Sequence, residues 1–139
     1  MTSTVPCDLC GKTYSLLYNV AAMIQCVKRY GGISKMLERL GVTEVQDGVD
    51  ENGEPKFVRA LDESLYIPEI PWLFAIMANQ GTILETGITR PDNPALITED
   101  YVQIHAMPAD FQRMATAVMG AIAAGNSTEH ETKNADPAI

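Results

Sequence analysis

The strongest constraint on what this chain folds into is an uncharged run of 15 residues, Ile70-Pro-Trp-Leu-Phe-Ala-Ile-Met-Ala-Asn-Gln-Gly-Thr-Ile-Leu84. It is too short to span a bilayer, which takes about 20 apolar residues, and Asn79, Gln80 and Gly81 interrupt it. Trp72, Leu73, Phe74, Ile76, Met77, Ile83 and Leu84 surround a helix of this length nearly all the way round. Such a helix has no side to turn to water, so it predicts a central helix on which the other elements pack. Pro68 and Pro71 bracket its start, Pro71 suiting the first turn, and Gly87 ends it.

The flanking residues predict the elements that cover this helix. Residues 5–18 read as a β-hairpin with its turn at Gly11-Lys12, because Tyr14, Leu16 and Tyr18 alternate as on a half-buried strand. Asn19 is a good helix N-cap, and a helix from about Val20 to Tyr30 follows, with Val20, Met23, Ile24 and Val27 as its inward stripe and Gly31-Gly32 as its stop. A second helix over about Ser34 to Leu40 places Met36, Leu37 and Leu40 inward. Thr98 caps a short helix through about His105, with Glu99 and Asp100 in the first turn, where the helix dipole favours acids. Pro108 opens a last helix through about Ala124, with Phe111, Met114, Val118 and Ile122 as its stripe and Ala117, Ala121 and Ala124 for close packing. The expected fold is therefore mainly α: an N-terminal β-hairpin and about five helices in one small domain, 1–125. Polar, turn-rich residues 126–139 read as a flexible, disordered tail.

Among the 139 residues, 46% are hydrophobic, enough for a core without disulfides or metal. Eighteen acidic and ten basic side chains give a net charge of −8, which argues against duplex nucleic acid and against an anionic membrane, both of which need clustered positive charge. The charge is polarised. Residues 43–69 carry eight acids against Lys56 and Arg59 and read as an acidic loop, turning at Asp50-Glu51-Asn52-Gly53-Glu54-Pro55. Residues 1–42 carry five bases against Asp8 and Glu38. Four of those bases, Lys28, Arg29, Lys35 and Arg39, cluster on the first two helices and are the candidates for binding a partner, since complementary charge sets specificity and on-rate. Seven methionines suit adaptable apolar surfaces, although Met23, Met77 and Met114 read as core. The N-terminus has neither the basic nor the apolar region of a signal peptide, and three cysteines cannot all pair within one chain, which fits a reducing cytosol.

No catalytic constellation stands out. The chain contains no nucleophile elbow, phosphate-binding glycine loop, His-Glu-x-x-His or dinucleotide fingerprint, and His105 reads as a helix-end residue, so no enzyme and no cofactor are expected. Cys7-Asp-Leu-Cys10 supplies two ligands of a tetrahedral zinc site, with Cys26 and then His105 or His130 as distant candidates for the rest. It also has redox Cys-x-x-Cys spacing, but at a hairpin turn rather than at the head of a helix.

Leu9-Cys-Gly-Lys-Thr-Tyr-Ser-Leu-Leu-Tyr18, the helix ending Lys28-Arg29-Tyr30-Gly31-Gly32, the acidic linker, the Ile70-Pro-Trp-Leu-Phe-Ala-Ile-Met77 helix, the Thr98-Glu-Asp-Tyr101 helix start and the Ala-rich last helix follow one another in an order that resembles the tail assembly chaperones of long-tailed bacteriophages, over roughly residues 5–125. Cys7 and Cys10 are not part of that pattern. The resemblance implies a non-enzymatic assembly chaperone of the host cytoplasm, absent from the mature virion, that coats the tape-measure protein and helps recruit tail-tube protein. It also implies that a flexible end such as 126–139 suits the short form of a frameshifting pair, and it leaves room for a homo-oligomer. The alternatives from other classes are a small metal-dependent regulatory or DNA-binding module built on Cys7 and Cys10, and a structural head–tail adaptor.

Overall fold

The computed structural model describes residues 4–41, 43–60, 66–88 and 93–126. The expected tail, apart from Asn126, and the expected connection at 90–94, apart from Asn93 and Pro94, lie outside the described residues, as do Asp62, Glu63 and His130. The fold is mainly α, an N-terminal hairpin followed by five helices. The elements group into two compact units, one made of Met1–Gln25 with Ile70–Ile139 and the other of Cys26–Glu69.

In the first unit, strands β1 (Thr4–Leu9) and β2 (Lys12–Leu17) pair antiparallel with Cys7 opposite Tyr14 and Leu9 opposite Lys12. The turn is therefore Cys10-Gly11, one residue earlier than expected. Both residues have positive φ, 53° and 81°, as a two-residue loop that matches strand twist requires. Cys7, Leu9, Tyr14 and Leu16 are buried on the face the hairpin turns to the core. Helix α3 (Ile70–Thr86) is the central element, packed against β2 and two further helices, α4 (Glu99–His105) and α5 (Pro108–Gly125). Leu73, Phe74, Met77 and Ala78 of α3 are buried, and Tyr14 meets Phe74 edge to face at 5.9 Å.

The three residues that interrupt the apolar run each satisfy a specific demand of that packing. Asn79 grips the strand-like lead-in to α4, accepting from the Ile97 N–H and donating to the Ile97 carbonyl, both at 2.8 Å. Buried Gln80 accepts from Asn19 Nδ2 at 3.2 Å. Gly81 lies so close to β2 that a Cβ there would stand 1.8 Å from the Ser15 carbonyl oxygen. Buried polar atoms cost free energy unless they are paired, and here the pairing also locks neighbouring segments in place. Local caps follow the sequence: Asn19 Oδ1 accepts from Ala22 N–H at 3.0 Å, Thr98 Oγ1 from Tyr101 N–H at 3.0 Å, and Asp110 Oδ2 from Met107 N–H at 2.9 Å.

Helix α1 (Val20–Tyr30) has the expected bounds but not the expected face. Val20, Ile24 and Val27 of the anticipated inward stripe are 65%, 46% and 39% exposed, and the helix buries Ala22 and Cys26 instead. Ala22 and Cys26, four residues apart, share one face of the helix, and that face is the one covered. In the second unit, α2 (Ile33–Arg39) buries Met36, as expected. The acidic stretch 43–69 is not a loop throughout: β3 (Thr43–Val49) and β4 (Pro55–Ala60) form a second antiparallel hairpin, with a register shift between Gln46 and Val49. Its turn spans the acidic residues expected to form one. Among the described residues, no helix is long and apolar enough to cross a membrane.

Substituting Gly81→Ala is expected to lower the unfolding free energy by about 3 kcal/mol or more through overpacking against β2, read as a fall in the urea midpoint. A change within ~0.5 kcal/mol would show that α3 and β2 do not meet this closely.

Candidate functional site

In the second unit, the end of α1 carries Lys28 and Arg29, where cations complement the helix carbonyls. Gly31, at φ 90°, turns the chain and lets its N–H close the helix on the Val27 carbonyl at 2.7 Å. A Cβ on Gly31 would stand 3.3 Å from Lys35 Cδ, so the aliphatic stem of Lys35 folds back over this turn. Lys35 and Arg39, four residues apart on α2, then share a face with Glu38 nearby. The result is a cavity of about 470 Å³ lined by Arg29, Tyr30, Lys35, Glu38 and Arg39.

Glu69, with a side chain only 9% exposed, organises this cluster. Its Oε1 accepts from the Tyr30 hydroxyl at 2.6 Å and from Arg29 Nη2 at 3.4 Å, and its Oε2 lies 3.6 Å from Arg39 Nε. A carboxylate out of water needs such partners. Arg29 also lies over the Tyr30 ring at 5.6 Å. Burial first, and then the hydrogen bond to Glu69, push the Tyr30 hydroxyl well above its ordinary pKa. Burial works against the charge on Arg29, but Tyr30 and Glu69 outweigh it and hold that guanidinium above its ordinary value. Lys35 makes no ion pair among the described residues and stays exposed.

Of the four expected partner-binding residues, the structure thus gathers Arg29, Lys35 and Arg39 around one cavity, whereas Lys28 is exposed and not part of its lining. The sequence reading missed Glu69 and Tyr30, the residues that hold two of those cations in place. By composition Glu69 belongs with the acidic stretch 43–69. The signal lay in its surroundings, a single acid within Ile67-Pro-Glu-Ile-Pro71.

The other candidates are placed differently. Cys7 is buried on β1, where burial raises its thiol pKa, while Cys10 is exposed in the turn. No group of three or more His, Cys, Asp or Glu side chains suited to a metal occurs among the described residues. His105 stacks on Tyr101 at 4.0 Å, and its Nδ1 donates to the Tyr101 carbonyl at 2.9 Å, a local role at a helix end. The outer edge of the last helix, α5, borders a shallow groove of about 700 Å³ with Val5 and Pro6 of β1, floored by Ala117 and Gly120. Arg113 reaches across to the Asp8 carbonyl at 3.2 Å and to Asp110 at 3.1 Å. Pro6 lacks an N–H, so Pro6 and Arg113 together leave the free edge of β1 poorly suited to another strand.

No protein-family model matches the chain, and no curated protein or solved structure matches it either.

A group whose pKa is raised in the folded state contributes stability that is fully present below its unfolded value and lost as pH climbs. For Tyr30 that loss begins at about pH 10. Tyr30→Phe is expected to cost about 1 kcal/mol at neutral pH and to make the alkaline decline of stability shallower. Urea unfolding at stepped pH checks this, and an unaltered alkaline slope would remove Tyr30 from the cluster. A thiol reagent applied to the native protein should modify Cys10 quickly, and Cys7 and Cys26 only on unfolding. Burial lifts the Cys26 thiol to about 11, and only thiolates react. Three equally fast thiols would contradict the burial.

Proposed function

We propose that this chain is a non-enzymatic assembly chaperone of the phage-tail kind, which holds the tape-measure protein and brings tail-tube subunits to it. The cation-rimmed cavity set on buried Glu69 carries this reading, because Glu69 already holds Arg29 and Arg39 beside it when a protein partner arrives. The order of elements that resembles the tail assembly chaperones supplies the identity of the client. Excess negative charge elsewhere keeps an unoccupied chaperone soluble.

Arg29 and Arg39 balance Glu69, so reversing them would leave a buried carboxylate unpaired and confuse folding with binding. Lys28 and Lys35 are free of that role. Lys28→Glu combined with Lys35→Glu is expected to reduce recovery of co-expressed tape-measure protein at least tenfold while leaving the circular dichroism spectrum unchanged. Undiminished recovery by the folded double variant would overturn the assignment of this face. Absence of any recovery by the unaltered chain would overturn the client.

A further inference from the structure

The turn between β3 and β4 carries an Asn-Gly pair, Asn52-Gly53. In such a pair the glycine main-chain nitrogen follows directly on a side-chain amide, with no side chain of its own to crowd the approach. Asn52 is exposed, and its side chain makes no hydrogen bond among the described residues. The other asparagines differ. Asn19 and Asn79 have their side chains bonded to Gln80, Ala22 and Ile97, and they precede Val20 and Gln80. Asn93 precedes Pro94, whose nitrogen carries no hydrogen. Asn126 and Asn134 precede Ser127 and Ala135, which do carry side chains. We propose that Asn52 is a site of spontaneous covalent modification, attacked by the Gly53 nitrogen, and that the turn anchored on Asp50 restrains the reaction until the turn opens.

The reaction needs only water and base. A base from solution takes the Gly53 amide proton, and the nitrogen forms a bond to Asn52 Cγ. The Cγ–Nδ2 bond then breaks, and the leaving nitrogen takes a proton back from the conjugate acid and departs as ammonia. A cyclic imide remains, and water opens it at either carbonyl. Opening at Cγ restores the ordinary chain with a carboxylate in place of the amide. Opening at the main-chain carbonyl leaves the chain running through the side chain. Nothing is oxidised or reduced, and water has replaced ammonia. Either product adds a carboxylate to a turn where Asp50, Glu51 and Glu54 are already exposed. The second also lengthens the main chain by a methylene where β3 passes into β4.

The folded turn works against the first step. The Gly53 N–H donates to the Asp50 carbonyl at 3.0 Å, which engages the proton that has to leave. Asp50 Oδ1 accepts from the Asn52 and Glu54 N–H groups at 2.8 and 2.9 Å, and the Asp50 N–H donates to the Glu54 carbonyl at 2.9 Å. These bonds fix the backbone on both sides of Asn52, whereas the imide closes by rotation that brings the nitrogen onto Cγ. The neighbouring carboxylates also disfavour the negative charge that develops on that nitrogen. Reaction therefore passes through the open turn, and its rate follows the open population. The modification thus marks chains whose β3–β4 hairpin has opened.

Incubation of the full chain at mildly alkaline pH, followed by digestion and mass spectrometry, tests the inference. The fragment containing residue 52 should gain the mass difference between NH2 and OH and contain both linkage isomers. In urea, Asn52 should convert before any other asparagine, and Gly53→Ala should suppress that conversion, since strain in the turn plays no part there. The folded chain should convert at the same site more slowly than in urea, by about tenfold or more. Asp50→Ala removes the carboxylate that accepts two of the turn's hydrogen bonds and should speed the folded chain about tenfold. If that variant fails to fold by circular dichroism, Asp50→Ser, with a shorter and weaker acceptor, replaces it. Conversion in urea that starts at another asparagine or survives Gly53→Ala undiminished would overturn the site. So would a folded chain that stays intact at Asn52 while the chain in urea reacts fully. Equal rates with and without urea, or a folded Asp50 variant no faster than the unaltered chain, would overturn the restraint.

Discussion

The approach of Gly81 to the Ser15 carbonyl is the constraint on which the first unit depends. A helix that is apolar on every side can be buried from all directions, but apolarity alone does not say how close each neighbour comes or in what register. At Gly81 the absence of a side chain lets a strand lie directly on the helix backbone. Just before it, Gln80 reaches the Asn19 cap of α1 and Asn79 grips Ile97 ahead of α4. Three successive residues thus position a hairpin strand, a helix start and a connecting segment. Gly125 repeats the device at the end of α5, where a Cβ would stand 2.3 Å from the Tyr18 carbonyl oxygen.

The second unit is organised by charge. Glu69 exchanges water for two guanidiniums and a phenol, an arrangement that contributes more to geometry than to net stability, because desolvation offsets much of the attraction. Its effect is to hold Arg29 and Arg39 beside a cavity whose remaining cation, on Lys35, makes no ion pair among the described residues, with Glu38 also in the lining. The separation of sign that composition shows along the chain therefore reappears as two distinct features of one unit, a cationic hollow and an acidic turn.

Much of this was legible in the residues because it is local. Asn19, Thr98 and Pro108 mark helix starts through hydrogen bonds or ring geometry within one turn, and the 3.6-residue spacing of Met114, Val118 and Ile122 selects the buried face of α5. Along α1, hydrophobicity ranks Val20, Ile24 and Val27 above Ala22 and Cys26, whereas the structure covers the face that carries the two small side chains. The β3–β4 hairpin was hidden by its acids: a high count of Asp and Glu reads as solvated loop, although the backbone pairing of strands is made by main-chain groups that every residue carries. Of the candidate site, the cations were visible as a cluster and their anchor was not, since Glu69 lies 30 residues beyond Arg39 in the chain.

Helix positions, caps, the first hairpin and the presence of one central apolar helix are dictated by interactions within a few residues, so they are carried by the order of amino acids, although Leu84 at the end of that helix stays 51% exposed. Which side of α1 is covered, whether acidic residues form a loop or paired strands, and which carboxylate gathers Arg29, Tyr30 and Arg39 were decided by tertiary structure. The first and last depend on what distant segments place against α1 and beside the cations, the second on backbone pairing across a turn, and spacing along a single segment carries no record of what lies across from it.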